Sequence, residues 1–424
     1  MSGRSPVWHP FTQHALQPDA TLIARGEGAW LTTPDGRRIL DAISSWWVVT
    51  HGHRHPDIIA AIKAQADQLD QVIFAGFSHA PAERLARQLV ELANGRLGEG
   101  QYEHVFFSDS GSTAVEVAIK MALGTWRNRG EPRSRIVALE HGYHGDTIGT
   151  MSAGARGVFN APYEPLLFDV ERLPFPSPGR EELTLASLDA ACRRESVAAL
   201  VVEPLVLGAG GMLMYAPDVL AEMRRICSSH GVLLIADEVM TGFGRTGTVF
   251  ASEQPGIAPD ILCLAKGLTG GSLPLAATLC TSAIFDAHYS RDRTRTFFHS
   301  SSFTANPICC AAASANLDIW AREPVLDHIA SIVKFQAEHL ARFRDDPRFT
   351  NVRQLGTIAA LDLASGGPGY LADVGPRLYG HFQSHDVLLR PLGSTIYVLP
   401  PYCTRPEDLD LAYAAIAGAP SAAT

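Results

Sequence analysis

Gly231-Val-Leu-Leu-Ile-Ala-Asp237-Glu238 and Pro259-Asp-Ile-Leu-Cys-Leu-Ala-Lys266-Gly-Leu-Thr-Gly-Gly271 decide the fold, with Lys266 placed 29 residues after Asp237. Each is an unbroken apolar run that stops at a charged residue. A strand with one wet face alternates apolar and polar side chains. A strand covered on both faces does not, so runs like these belong to a mostly parallel sheet under helices. Residues 104–107, 135–139, 197–203 and 276–281 read the same way. Helix-like stretches at 113–127 and 217–230 lie between them, and that alternation defines α/β architecture.

The two ends of the chain read differently. Residues 20–50 suggest short strands with a turn at Pro34-Asp35-Gly36. Beyond about residue 320 the pattern gives a helix at 325–344, strands around 352–362, a helix near 371–385 and a strand pair around 391–400. The expected organisation is a large domain over 58–320. A smaller α+β domain, with an N-terminal arm, would be built from 1–57 and 321–424.

Composition narrows the function classes. In 424 residues the net charge is −9 with no Lys/Arg block, so neither nucleic acid nor an anionic membrane is an expected partner. No apolar run reaches the roughly 18 residues of a membrane span. The opening MSGRSPVWHPFTQ lacks the charged-then-apolar pattern of a secretory signal. The seven cysteines form no CxxC, which fits reduced thiols in a cytoplasmic protein.

Four segments carry candidate chemistry. A lysine at the end of a buried strand loses hydration, which lowers its pKa and frees its lone pair, so Lys266 is a candidate nucleophile. The glycines after it let a planar ligand approach the backbone. Asp237 ends its own strand, where open α/β sheets bind ligands, and a carboxylate there can keep a pyridine nitrogen protonated. Ser110-Gly111-Ser112 leads a strand into a helix, whose free N–H groups and dipole suit a phosphate. In His141-Gly-Tyr143-His144-Gly-Asp146, an aromatic between glycines can lie against a ring. His141 and His144 have no third ligand in a metal-type spacing, nor do His51, His53 and His55, so no metal is expected.

Taken together, SDSGSTAVEVAIKMA, HGYHGDT, VVEPLVLGAGGM and DEVMTGFGRTG resemble the class III (omega) aminotransferases, over nearly the whole chain. The resemblance implies fold type I: a large domain with a mostly parallel seven-stranded sheet, a smaller α+β domain, and pyridoxal 5′-phosphate (PLP) as cofactor. It implies that Lys266 holds PLP as a Schiff base and moves the proton. It pairs Asp237 with the ring nitrogen, places Ser110, Gly111 and Ser112 at the phosphate, stacks Tyr143 on the ring and sets Glu203 at its far edge. It also implies a homodimer with shared active sites. In such a dimer, Ser301 and Ser302 would reach the partner's phosphate, although Ser300 and Ala305 stand where glycines are usual.

A narrower resemblance is to the branch that moves an amino group from S-adenosylmethionine to 8-amino-7-oxononanoate in biotin biosynthesis. It rests on His9-Pro-Phe-Thr-Gln13, Ser44-Ser-Trp46-Trp47, Leu389-Arg390-Pro391-Leu-Gly393 and Ile396-Tyr397. It implies substrate contacts from Phe11, Trp46, Trp47, Tyr143, Asp146, Arg245, Lys266, Ser300, Arg390 and Tyr397, with Arg390 on the keto acid's carboxylate. Phe11 stands where that branch usually has a tyrosine. A sister branch that takes lysine as donor also has Phe there but tends to lack the second tryptophan, so Trp47 favours S-adenosylmethionine. A diamine or other omega-amino acid donor is the remaining alternative.

Overall fold

The structure is a computed structural model that describes residues 5–17, 20–131, 133–365 and 370–423. Its main sheet has seven strands in the order His104–Ser108, Ala276–Cys280, Ile261–Leu264, Leu233–Asp237, Val197–Val202, Arg135–Leu139 and Glu171–Leu173. Ala276–Cys280 runs antiparallel to both neighbours, and the other neighbouring pairs are parallel. Six of the strands are the apolar runs read from sequence. The seventh, Glu171–Leu173, went unread because three residues with one buried apolar side chain carry no periodicity. Val197–Val202 is buried at all six positions, as a central strand under helices on both faces must be.

Gly111–Arg129 extends the helix expected over 113–127 by two residues at each end. Ser110 starts it: its hydroxyl accepts from Thr113 N at 3.2 Å, while Thr113 Oγ1 accepts from Ser110 N at 2.9 Å. Pro217–Ser229 and Val325–Arg344 also fall where their patterns place them.

The chain ends meet in a four-stranded sheet, where Arg25–Glu27, Trp30–Thr32 and Arg38–Asp41 are joined by Val387–Leu388 in parallel with Arg38–Asp41. Phe349–Leu355, Ile358–Leu363 and Thr395–Val398 form a separate antiparallel sheet. The strand pair expected around 391–400 is a single strand. Pro391 has no N–H to give a ladder, and Gly393 turns the chain at φ 65°, leaving one isolated bridge from Leu392 to Thr395.

The segment before Val48 departs most from the expected strands. Ser44–Trp47 is a short kinked helix with left-handed φ values of 54°, 61° and 65° at Ser44, Ser45 and Trp47. Such strain persists only where the surroundings over-determine it. Buried Asp41 does this: its Oδ1 accepts from Ser45 N at 2.7 Å, and its Oδ2 from Ser45 Oγ at 3.0 Å and His53 Nε2 at 2.9 Å. This clamp aims the two indoles.

Gly356 supports the same region from behind. Its φ is +55°, and a Cβ there would fall 2.2 Å from Thr246 C and 2.5 Å from Arg245 O. Gly356→Ala is therefore expected to destabilise the fold by about 2–4 kcal/mol, from backbone strain plus a main-chain clash. A lower denaturant midpoint with an unchanged slope checks this, and an unchanged midpoint refutes it.

Candidate active site

The chemistry-bearing side chains gather at the carboxyl edge of the main sheet. Asp237 is the last residue of its strand, Glu203 follows Val197–Val202, and Lys266 comes two residues after Ile261–Leu264. Tyr143 and His144 lie in the loop after Arg135–Leu139, and Gly111 opens the helix after His104–Ser108. All of these line one cavity of about 410 Å³. Parallel strands make this inevitable, since their carboxyl ends point to the same side.

Lys266 adopts φ 45°, a strained value for a residue with a Cβ, and its Nζ lies 4.6 Å from the centre of the Trp47 ring. Burial lowers its pKa to about 8; the carboxylates of Asp237 and Glu203 oppose the shift and Arg245 adds to it. Asp237 Oδ2 bonds His144 Nδ1 at 2.8 Å, and its Oδ1 accepts from Val239 N at 3.2 Å. Burial disfavours charge on His144, yet the hydrogen bond and charge of Asp237 outweigh it and raise the imidazole pKa. The result is a buried carboxylate fixed by a histidine behind it.

Glu203 Oε1 accepts from Tyr143 N at 2.8 Å and its Oε2 from Gly208 N at 2.9 Å. Burial pushes its pKa up to about 7, against the attraction of His144. It thus holds the Tyr143 loop against the 204–208 turn. The Tyr143 hydroxyl is raised, first by burial and then by Asp146. Glu238, beside Asp237, takes no part in the cavity. It is buried and accepts from Thr241 Oγ1, Ala251 N, Ser252 N and Ser252 Oγ at 2.8–2.9 Å, which makes it a clamp on the following turn.

These residues fit PLP. A phosphate needs donors, and a helix start offers N–H groups without intrahelical acceptors. Thr113 N and Ala114 N are taken by Ser110, which leaves those of Gly111 and Ser112. A ring nitrogen needs a carboxylate, which Asp237 supplies, and an aldehyde needs an amine, which Lys266 supplies. The cleft between them is narrow: a Cβ on Gly111 would lie 2.5 Å from Val239 Cγ1.

The mouth is aromatic. Phe11 packs 5.6 Å from Trp46, 5.8 Å from Phe159 and 6.4 Å from Tyr370. Arg390 lies over Trp46 at 5.3 Å and donates from Nη2 to Phe11 O at 2.9 Å. Trp47 is buried below and donates from Nε1 to the Tyr397 hydroxyl at 3.1 Å. Asp146 also lines the cavity.

Five expected residues stand outside this cavity, three of them, Ser300, Ser301 and Ser302, on the segment expected to serve the partner's site. Arg245 is buried, and its guanidinium is spent on the carbonyls of Pro400, Trp47 and Val49 at 3.1, 3.3 and 2.9 Å. It braces the tryptophan turn and does not line the cavity. Ser110 spends its hydroxyl capping the helix. Ser300, Ser301 and Ser302 lie on a separate segment, where Ser301 Oγ donates to Asp109 of its own chain. The sequence reading missed His144, Phe159, Tyr370 and Val239. His144 carried a signal, adjacency to Tyr143 in a glycine-flanked loop, that spoke only against a metal. Phe159 and Tyr370 sit in irregular segments with no motif around them.

The fold and this site define a PLP-dependent enzyme of the fold type I class. The aminotransferase class-III family model matches residues 12–419, and the chain belongs to that family. It is 48% identical over 98% of its length to the adenosylmethionine-8-amino-7-oxononanoate aminotransferase of Synechococcus elongatus, covering 99% of that protein. Among solved structures, the enzyme of the same name from Methanocaldococcus jannaschii aligns with a TM-score of 0.91 at 32% identity, over 97% of both chains. A PLP-bound amine transaminase from an uncultivated Pseudomonas species aligns at 0.92 and 34%, over 99% of both.

Proposed function

We propose that this aminotransferase moves an amino group from S-adenosylmethionine to 8-amino-7-oxononanoate in two half-reactions, giving 7,8-diaminononanoate for biotin synthesis. The observation that carries the reading is Arg390, a guanidinium at the rim of an aromatic wall above Lys266. A guanidinium forks onto a carboxylate, and an aromatic wall suits an apolar chain or a sulfonium cation. The similarity to relatives that bear this activity in their names supports it. Lysine as donor is the second reading, favoured by Phe11.

When bound, PLP supplies an electron sink for the carbon next to the transferred amine. Lys266 would take the proton from that carbon at Nζ and carry it along the same face to the cofactor carbon, a task suited to an amine with pKa about 8. Asp237, steadied by His144, would hold the proton on the ring nitrogen. Gly111 and Ser112 would hold the phosphate and Tyr143 would cover the ring, while Glu203 fixes the Tyr143 loop. Trp46, Trp47, Phe11 and Tyr397 exclude water around the substrate chain. The reading extends to a cytoplasmic homodimer. Free cysteines, and exposed Phe298 and Phe303 beside Ser300–Ser302, support that extension.

The test is to add each donor alone to PLP-loaded protein and follow the cofactor absorbance. S-adenosylmethionine should bleach the band, and 8-amino-7-oxononanoate should restore it. A response to lysine alone would transfer the reading to the second donor. Arg390→Met is expected to raise KM for the keto acid about 10–100-fold, the value of one or two charge-assisted bonds. An unchanged KM would remove Arg390 from the carboxylate.

A further inference from the structure

A second cavity, of about 430 Å³, adjoins the first. The two share the walls formed by Tyr143, Asp146, Phe159 and Tyr370. Phe159 and Tyr370, with ring centres 4.8 Å apart, stand where the cavities meet. None of the chemistry above uses this space, yet it is not an apolar void.

Its polar lining separates into spent and unspent groups. Asp362 is satisfied by Arg353 at 3.1 Å, Thr395 at 2.8 Å and Asn351 at 3.0 Å. Arg156 gives its terminal amines to the carbonyls of Met151 and Phe168 at 3.1 and 3.0 Å. These two charged groups are thus committed to the protein, while Asp146, on the wall shared with the first cavity, sits beside the Tyr143 hydroxyl. The Ser394 hydroxyl, the His141 ring and the Tyr370 hydroxyl have no hydrogen-bond partner among the described residues. A compartment with aromatic faces, neutral donors and acceptors, and the Asp146 carboxylate as its one uncommitted charge suits a flat neutral heterocycle with hydroxyls. It does not suit a carboxylate or a phosphate.

We infer that this second cavity is a nucleoside subsite, holding the adenosine part of the amino donor while its amine sits at Lys266. The inference rests on the proposed S-adenosylmethionine reading and adds to it a division of the site. The first cavity, with Arg390, serves both substrates, and the second serves only the donor. The Phe159–Tyr370 pair is then the partition that the donor spans and the keto acid does not. A donor without a nucleoside leaves the second compartment unused.

Two wall positions can close the compartment without touching the residues assigned to chemistry. Gly157 lines it, and a Cβ there meets nothing within 4 Å. Ser394 lines it as well. Gly157→Phe and Ser394→Phe are compared with wild type as PLP-loaded enzymes, with KM measured separately for each half-reaction. Adenosine binding is measured by calorimetry. The expected result is a KM for S-adenosylmethionine raised at least tenfold in both variants, with KM for 8-amino-7-oxononanoate within twofold. Adenosine should bind wild type and not the variants. If both variants keep the donor KM within twofold, or lose both substrates equally, the inference is overturned. Failure of adenosine to bind wild type overturns it as well. Failure of the functional reading looks different: wild type itself then gives no half-reaction with S-adenosylmethionine, whatever adenosine does.

Discussion

Lys266→Ala is expected to lower steady-state amino transfer by about 10⁴-fold or more, while the protein still folds and still binds PLP non-covalently. The lysine supplies both the attacking amine and the proton carrier, and general acid–base catalysis alone accounts for 10²–10⁴. Few neighbours can replace it. Burial and Asp146 push the Tyr143 hydroxyl up, and His144 is tied to Asp237 on the far side of the carboxylate. Glu203, with a pKa of about 7, is the only nearby group among those described whose titration could serve, but both its oxygens accept main-chain N–H bonds. A variant that keeps more than about one percent of the rate would reassign the proton to Glu203 or to water. Partial rescue by a small added amine separates lost chemistry from lost folding. The lowered pKa gives a companion measurement. Only the neutral amine attacks an aldehyde, so covalent capture of PLP by the apoprotein should rise with pH to a plateau, with a midpoint near 8. A midpoint near the ordinary lysine value of 10.5 would mean that burial is not felt.

The parts legible in sequence were those whose physics is local. A strand covered on both faces must be apolar throughout, so six of the seven strands of the main sheet could be read, as could the charged residues that end two of them. What stayed hidden depends on contacts between distant segments. Arg245 looked like a substrate ligand because it lies close in sequence to Asp237. It turned inward because the strained tryptophan turn, with no partner of its own for the carbonyls of Trp47 and Val49, needs a buried donor. Glu238 and Asp237 are neighbours of the same chemistry, and only the fold separates a clamp from a ring partner: successive side chains in an extended chain point opposite ways. Phe159 and Tyr370 are more than two hundred residues apart, and no local pattern could pair them.

Asp237→Asn is expected to lower kcat by about 10³-fold with little change in substrate KM. An amide cannot hold a proton on a basic ring nitrogen, so the ring loses its positive charge and with it the stabilisation of charge developing at the reacting carbon, an electrostatic contribution of this size. The substitution nearly conserves volume, so the cavity should keep its shape. The cost also passes to His144, which is buried and owes its raised pKa to Asp237. Beside an asparagine the imidazole should lose most of the support for its charge, since burial is then opposed by Glu203 alone. That consequence allows ring chemistry and simple structural damage to be told apart. Supplying PLP methylated on the ring nitrogen, which is positive without any proton, should restore at least tenfold of the lost kcat in Asp237→Asn and none in wild type. A variant that loses 10³-fold and is not rescued would leave Asp237 as a residue that positions the His144 loop and does not act on the ring. A variant that keeps its kcat would remove the ring-nitrogen contact from the mechanism altogether.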